Sequence, residues 1–66
     1  MVTPIPLLRT IFVNKKLPLS YAIKEFGAQM VKSAKAHSYI EIFKKNGIYY
    51  IKLTKLGLQQ LRDFEI

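Results

Sequence analysis

The sequence predicts an α+β domain in which three helices are followed by a two-stranded β-hairpin and a C-terminal helix. Apolar residues recur at helical spacing in four segments, three before residue 39 and one after residue 53. Between them, residues 39–57 contain two strand-like runs on either side of a Lys-Lys-Asn-Gly turn, which is typical of a hairpin. A chain of 66 residues has room for one domain, so we expect residues 1–66 to form a single unit.

The first helix is predicted to begin at Thr3 and Pro4. A threonine hydroxyl can accept a hydrogen bond from a free N–H group of the first turn, and proline is tolerated there because it lacks that group. Residues 14–16 end the helix. Its apolar face consists of residues at helical spacing: Leu7, Leu8, Ile11 and Phe12.

A short extended connector, residues 17–19, precedes the second helix, because a residue before proline disfavours the helical conformation. Ser20 is expected to cap this helix at its N-terminus. Gly27 is expected to end it, since glycine adopts the left-handed conformation of a helix end at little cost. The buried side of the helix consists of Ala22, Ile23 and Phe26.

The third helix is predicted over residues 28–38, AQMVKSAKAHS. Met30, Val31 and Ala34 lie at spacings that place them on one inward face. The opposite face is basic, polar and low in bulk. Its members are Gln29, Lys32, Ser33, Lys35 and Ala36.

The hairpin is predicted to turn at Asn46 and Gly47, because an Asn-Gly pair favours the two-residue type I′ turn. This turn sets one register, which pairs Ile40 with Leu53, Glu41 with Lys52, Ile42 with Ile51, Phe43 with Tyr50, Lys44 with Tyr49 and Lys45 with Ile48. One face then carries aliphatic residues, and the other carries an opposite-charge pair beside an aromatic pair. A slip of one residue would mix the aliphatic residues of one face with the charged and aromatic residues of the other, so the chemistry of the pairs supports the register.

The C-terminal helix is predicted to begin at Thr54, whose hydroxyl can cap it. Gly57 inside this helix costs about 1 kcal/mol relative to alanine, which indicates that another backbone segment approaches closely there. Leu58, Leu61 and Phe64 form one apolar stripe, which serves either the core or a dimer contact.

Charge is the bulk property that points to a partner. The chain has 11 Lys and Arg against 4 Asp and Glu, a net charge of +7, which predicts a polyanionic partner such as DNA, RNA or an acidic membrane surface. No apolar run approaches the roughly 18 residues of a membrane span, and the N-terminus does not have the pattern of a signal peptide. Without cysteine, the chain suits a reducing compartment, so we expect a cytoplasmic protein without membrane contact.

Residues typical of catalytic and metal sites are scarce. The four carboxylates are scattered, the single histidine has no evident nucleophile partner, and no glycine-rich phosphate loop occurs. One histidine without cysteine cannot form a metal site. We therefore expect a protein that is not an enzyme and that needs no cofactor, metal or small-molecule ligand.

The order of the elements resembles a winged helix-turn-helix domain over residues 4–64. The resemblance rests on SYAIKEFG, residues 20–27, as the first helix of the motif, and then on a short turn, the third helix and the hairpin. Residues 53–61, LTKLGLQQL, are similar to the strand-to-helix exit "LTxxGxxxL" of winged-helix transcription regulators. The small size and the richness in Lys, Ile and Tyr resemble small regulators from archaeal viruses and plasmids. This resemblance implies sequence-specific binding to double-stranded DNA and transcription regulation.

In a winged-helix domain the third helix reads the major groove, and the hairpin is a wing whose tip lies along the phosphate backbone or in the minor groove. The resemblance therefore implies a recognition helix at residues 28–38 and a wing tip at residues 44–47. For His37 two roles stay open, a cap at the helix end, where a cation suits the helix dipole, and a phosphate contact. The expected DNA-binding residues are Gln29, Lys32, Ser33, Lys35, His37, Lys44, Lys45 and Asn46.

Other functions stay open beside this one. Winged-helix domains also serve as protein-interaction adaptors. A non-specific chromatin or single-strand nucleic-acid binder is another alternative, since Tyr39, Phe43, Tyr49 and Tyr50 could stack on bases. The lysines of the tip could instead protect a strand edge against aggregation. A small domain buries little DNA surface, so we expect a homodimer on a two-fold site to raise affinity.

Overall fold

The computed structural model describes residues 4–65. Over this range the chain forms four helices and one three-stranded antiparallel sheet, so the predicted α+β class is confirmed. Each helix within residues 4–65 is too short or too polar to span a bilayer. The elements, in chain order, are α1 (Ile5–Asn14), β1 (Leu17–Pro18), α2 (Leu19–Phe26), α3 (Ala28–Ala36), β2 (Ile40–Lys45), β3 (Ile48–Leu53) and α4 (Lys55–Glu65).

α1 begins at Ile5, so Pro4 is the N-cap residue and lies just before the first turn in which it was predicted. The proline inside the first turn is Pro6. The predicted cap Thr3 lies outside the described residues. The helix ends at Asn14, where the next residue, Lys15, has a positive φ of 71°. Phe12, the last member of the predicted apolar face, is 57% exposed. It lies about 100° around the helix from its buried neighbour, at the edge of the face. The buried residues of α1 are Ile5, Leu7, Leu8 and Ile11.

β1 adds a third strand to the predicted two-stranded hairpin. Leu17 and Pro18, expected as an extended connector, pair antiparallel with Ile51 and Tyr50 of β3. The strand order is therefore β1-β3-β2, with β3 in the centre. A strand of two residues shows no periodicity, and its partner lies far along the chain, so the sequence pattern indicates only extended backbone.

β2 and β3 pair in the predicted register at every position. Residues 46–47 have positive φ angles of 51° and 81°, as a type I′ turn requires. The two predicted cross-strand pairs are also present. Lys52 Nζ lies 3.6 Å from a carboxylate oxygen of Glu41, and the rings of Phe43 and Tyr50 stack with their centroids 5.6 Å apart. The local turn chemistry therefore sets the register of the hairpin.

The predicted cap of the second helix is wrong. α2 begins at Leu19 with Pro18 before it, and no side chain caps it, because β1 leads directly into the helix. Ser20 lies inside the first turn instead. The predicted end is confirmed, since Gly27 has a φ of 88° and donates its N–H to the carbonyl oxygen of Ile23 at 2.8 Å.

The predicted end of α3 is wrong, and the predicted N-cap of α4 is confirmed. α3 ends at Ala36, earlier than the predicted residue 38, because Ser38 has a positive φ of 62° that a right-handed helix cannot contain. The predicted cap of α4 is confirmed, because the Gly57 N–H donates to Thr54 Oγ1 at 3.0 Å.

The core is built from every helix and strand and contacts one face of the sheet. α4 contributes Leu61, which is 4% exposed, whereas Leu58 is half-buried and Phe64 is 59% exposed. The predicted stripe of α4 is therefore divided between the core and the surface. The buried hydrophobic residues of the described chain are Ile5, Leu7, Leu8, Ile11, Leu17, Ala22, Val31, Ala34, Ile40, Ile51 and Leu61.

Candidate nucleic-acid interface

A single residue joins α2 to α3. Gly27 lies between Phe26, the last residue of α2, and Ala28, the first residue of α3. Its φ of 88° belongs to a region that glycine adopts without steric penalty, so the chain can change direction within one residue. The Val31 N–H donates to the Gly27 carbonyl oxygen at 3.3 Å and ties the first turn of α3 to this junction. The junction therefore holds α3 at a defined angle to α2.

α3 presents a basic, polar face to solvent. It packs inward through Val31 and Ala34, which are 5% and 0% exposed. These residues are three apart and share one side of the helix, so the residues of the opposite side lie outside. The exposed members of the predicted face are Gln29, Lys32, Lys35 and Ala36, whereas Ser33 is half-buried.

His37 occupies the C-cap position of α3, the first of the two roles that the sequence leaves open. Its Nδ1 lies 2.8 Å from the carbonyl oxygen of Ser33, and because a carbonyl oxygen only accepts, Nδ1 carries the proton. The ring also stacks on Tyr39, with centroids 5.3 Å apart. A phosphate contact by His37 would therefore use the other ring nitrogen, Nε2.

The exit of α3 is held by the segment that joins β3 to α4. The Thr54 N–H donates to the carbonyl oxygen of Tyr39 at 3.0 Å, and the Thr54 hydroxyl donates to that of Ser38 at 2.5 Å. Gly57 lies against the same backbone, because a Cβ at this position would be 2.0 Å from the Tyr39 carbonyl oxygen. The close approach predicted for Gly57 is confirmed. These contacts, which we call the exit clamp, fix the end of α3 relative to the hairpin.

The hairpin tip carries its two lysines on opposite faces of the sheet. Lys44 is paired with Tyr49 and Lys45 with Ile48, and neighbouring residues of a strand point to opposite sides. The Nζ of Lys44 lies 5.4 Å from the ring centroid of Tyr49, a cation–π distance. Both lysines and Asn46 are exposed. The tip therefore offers one ammonium group on each side of the hairpin, not two side by side.

Acidic residues are rare in the middle of the chain. Between Glu25 and Asp63 the one acidic residue is Glu41, which lies 3.6 Å from Lys52. The same stretch contains six lysines and one arginine. Neither α3 nor the tip carries an acidic residue, so their positive charge is not neutralised within these segments.

Two lysines and two aromatic residues lie close together on the sheet face that is turned away from the core. The sequence pattern alone does not predict this group. The Nζ of Lys16 lies 5.0 Å from the ring centroid of Tyr50, and that of Lys52 lies 5.5 Å from the ring centroid of Phe43. The pair Phe43–Tyr50 was predicted, but Lys16 reaches Tyr50 only because β1 pairs with β3. We call these four residues the aromatic–lysine row.

An apolar groove lies beside the hairpin tip. Three of its lining residues, Ile23, Ile48 and Tyr49, are 41%, 49% and 52% exposed. The groove separates the tip from α2, and we call it the α2–tip groove. It is lined by Leu19, Ser20 and Ile23 of α2 and by Gly47, Ile48 and Tyr49 of the hairpin.

Comparisons of the chain with protein-family models, with curated proteins and with solved structures find no match. The function is therefore inferred from the charge, exposure and geometry of the described residues.

Proposed function

We propose that the protein is a sequence-specific double-stranded DNA-binding protein of winged helix-turn-helix type and that it acts as a cytoplasmic transcription regulator. In this proposal α2 and α3 form the helix-turn-helix, and β2 and β3 form the wing. The observation that carries the proposal is the exposed basic face of α3, which follows a one-residue junction and precedes a hairpin with lysines at its tip. The third strand of the sheet is compatible with this type of fold.

In the proposed complex the exposed face of α3 enters the major groove. An α-helix fits this groove, which is about 12 Å wide and presents a distinct pattern of donors and acceptors for each base pair. Gln29 can pair with adenine, and Lys32 and Lys35 can bind guanine or phosphate. Because α3 ends at Ala36, His37 would contribute from the helix end and not from the reading face.

The hairpin tip would hold the phosphate backbone. β2 runs from the exit of α3 to the tip, and its six residues span about 20 Å in extended conformation. This length exceeds the width of the major groove, about 12 Å. The strand can therefore carry Lys44 and Lys45 from the groove that α3 occupies to a neighbouring phosphate wall. Such contacts set position and affinity, whereas base contacts set sequence preference.

A homodimer on a two-fold DNA site is part of the proposal. A single domain of this size covers few base pairs, and a second copy would raise both affinity and specificity. Phe12, Val13 and Phe64 on α1 and α4 are 57%, 72% and 59% exposed and offer apolar surface for such a contact. Leu61 is excluded from it because it belongs to the core. The simplest mechanism for so small a protein is repression by blocking access to a promoter.

Selection of bound sites from random duplex DNA at physiological salt tests the proposal. We expect one sequence motif to be enriched, and a two-fold symmetric motif would report a dimer. Equal recovery of unrelated sequences would contradict sequence-specific recognition and would favour a non-specific binder.

A protein-interaction adaptor is the second candidate, and the α2–tip groove favours it. Ile23, Ile48 and Tyr49 expose apolar surface beside the tip, where a DNA-binding wing needs none. An adaptor would bind duplex DNA weakly and with little dependence on salt. Titrations of a random duplex at several salt concentrations separate the two candidates, because phosphate binding loses affinity steeply as salt rises.

A further inference from the structure

The aromatic–lysine row lies on a sheet face that the core does not use. Pro18, Tyr50 and Phe43 are directly paired across the three strands, which places their side chains on one face. All three are half-buried, whereas Ile51, the neighbour of Tyr50 on β3, is 0% exposed on the opposite face. The row therefore contains large aromatic surface that contributes little to the core.

Two ammonium groups lie near the two stacked rings. Lys16 lies near Tyr50, Tyr50 stacks on Phe43, and Lys52 lies near Phe43, so the contacts run from cation to ring to ring to cation. Next to Tyr50 the surface opens into a hollow. Its lining residues are Asn14, Lys16, Leu17, Pro18, Tyr21 and Tyr50.

We propose that the aromatic–lysine row is a second nucleic-acid surface, which stacks the unpaired bases of a single strand. Every base has a π face that can stack on an aromatic ring, and lysines beside the ring can bind the adjoining phosphates. Bases in a duplex are already stacked on one another, so the rings suit a single strand better than a duplex. The row shares no residue with α3 or the tip, so this inference does not depend on the proposed function.

When a single strand binds, each ring loses its contact with an ammonium group and gains a contact with a base. In the free protein the Nζ of Lys16 lies 5.0 Å from the ring centroid of Tyr50, and the Nζ of Lys52 lies 5.5 Å from that of Phe43. These are distances of cation–π pairs at exposed sites. An incoming base covers the ring with a larger apolar area than an ammonium group does, and the displaced lysine moves to the phosphate of the same nucleotide. Both lysines have long flexible side chains, so this exchange needs no backbone movement.

An acidic peptide is the competing ligand, because it would also be attracted by Lys16 and Lys52. Its carboxylates would gain little from the two rings, whereas a base can stack on them. The rings therefore favour the nucleic acid, and a probe without bases separates charge from stacking.

The test compares an oligothymidylate of about 15 nucleotides with an abasic deoxyribose-phosphate chain of equal length. The two probes carry the same charge and differ only in their bases. Fluorescence-anisotropy titrations of the full chain should show about tenfold tighter binding of the oligothymidylate, the gain from stacking one base. Equal affinity for the two probes would overturn the proposal, because charge alone would then explain binding.

Substitutions on the two sheet faces locate the site. Phe43→Leu and Tyr50→Leu should each remove most of the preference for the oligothymidylate, whereas Tyr50→Phe keeps the ring and should keep the preference. Tyr49→Leu is the matched control, because Tyr49 has its own lysine at 5.4 Å but lies on the opposite face. Loss of the preference in Tyr49→Leu, with retention in Phe43→Leu, would exclude the row.

NMR spectra of the unsubstituted protein test the same surface without any change in stability. The ring protons of Phe43 and Tyr50 should shift on addition of the oligothymidylate and not on addition of the abasic chain, and unshifted ring protons would contradict the proposal. Duplex affinity should be unchanged in Phe43→Leu and Tyr50→Leu. A parallel loss of duplex affinity would show that the row is not an independent surface, whereas failure of duplex binding in the unsubstituted protein would refute only the proposed function.

Discussion

Gly57 occupies a position where two backbone segments touch. The atom that a Cβ would meet is the carbonyl oxygen of Tyr39, at 2.0 Å, and a backbone atom cannot move aside as a flexible side chain can. Thr54 strengthens the same contact, because its hydroxyl donates to Ser38 and accepts from Gly57. Gly57 of α4 and Thr54, which caps this helix, therefore hold the backbone at residues 38–39, and this contact positions the end of α3 in the candidate interface.

Gly57→Ala should destabilise the protein by at least about 2 kcal/mol, because the steric overlap outweighs the better helix propensity of alanine. Urea denaturation followed by circular dichroism measures this loss. Gln59→Ala, at an exposed position of the same helix, is the control and should change the free energy of unfolding by no more than about 0.5 kcal/mol. A stabilising Gly57→Ala would show that the two segments separate easily.

Thr54→Val should lower stability by about 1–2 kcal/mol, because it removes the cap of α4 and the hydrogen bond to Ser38 while it keeps the shape of the side chain. Thr54→Ser keeps the hydroxyl and should lose much less. Thermal unfolding of the two variants side by side gives the difference. Equal melting temperatures would mean that the hydroxyl contributes nothing to the exit clamp.

At the scale of elements, α3 and the hairpin tip reach their positions by different means. α3 is attached through the small side chains Val31 and Ala34, the Gly27 junction and the exit clamp, all of which are contacts to other elements. The tip is defined locally, by the Asn-Gly turn and the pairing of β2 with β3. Substitutions at exposed lysines of either element should therefore leave the fold intact and report on binding alone.

Lys32→Ala and Lys35→Ala should each weaken duplex binding by about fivefold or more, because each removes a cation from the face proposed to enter the major groove. Arg62→Ala removes the same charge from the last turn of α4, a helix that packs against α1, and should have a smaller effect. Gel-shift titrations at fixed salt give the three affinities. Unchanged affinity in both lysine variants would remove α3 from the interface.

The double variant Lys44→Ala/Lys45→Ala should bind every duplex more weakly and should keep its site preference, because phosphate contacts add affinity without reading bases. Its plot of log affinity against log salt should flatten by about 1.8, taking about 0.9 for each phosphate contact.

Since the two lysines lie on opposite faces of the hairpin, the single variants test each side of the tip separately. An unchanged salt slope would identify the lysines as strand-edge protection. A lost site preference with an unchanged slope would mean that the tip reads bases.

At the scale of the whole molecule, a net charge of +7 is confined to a small domain with extents of 36 × 20 × 18 Å. Like charges at such separations repel one another in the folded state and lie farther apart in the unfolded chain. The charge therefore favours a polyanionic partner and at the same time reduces the stability of the free protein.

Salt should consequently raise the melting temperature of the free protein while it lowers duplex affinity. Between about 0.1 and 1 M salt the Debye length falls from about 10 to about 3 Å, which screens the repulsion. Differential scanning calorimetry over this range measures the first effect, and anisotropy titrations measure the second. A melting temperature that falls with salt would mean that attractive pairs such as Glu41–Lys52 outweigh the repulsion.

The elements that could be predicted from the sequence are those that depend on neighbours in the chain. The hairpin register follows from the Asn-Gly turn and from alternation over a few residues, and both are local. The end of α2 at Gly27 and the cap of α4 at Thr54 follow from the chemistry of single residues. The outward face of α3, with Gln29 and the two lysines, follows from helical periodicity.

The features that join distant segments could not be predicted from the sequence, because they depend on tertiary packing. β1 is a strand because β3 is beside it, and Lys16 joins the aromatic–lysine row for the same reason. Periodicity assigned Phe12 and Phe64 to apolar faces, but the extent of the core left both exposed. Spacing along a helix sets the direction of a side chain, whereas its burial depends on which other segment packs over it.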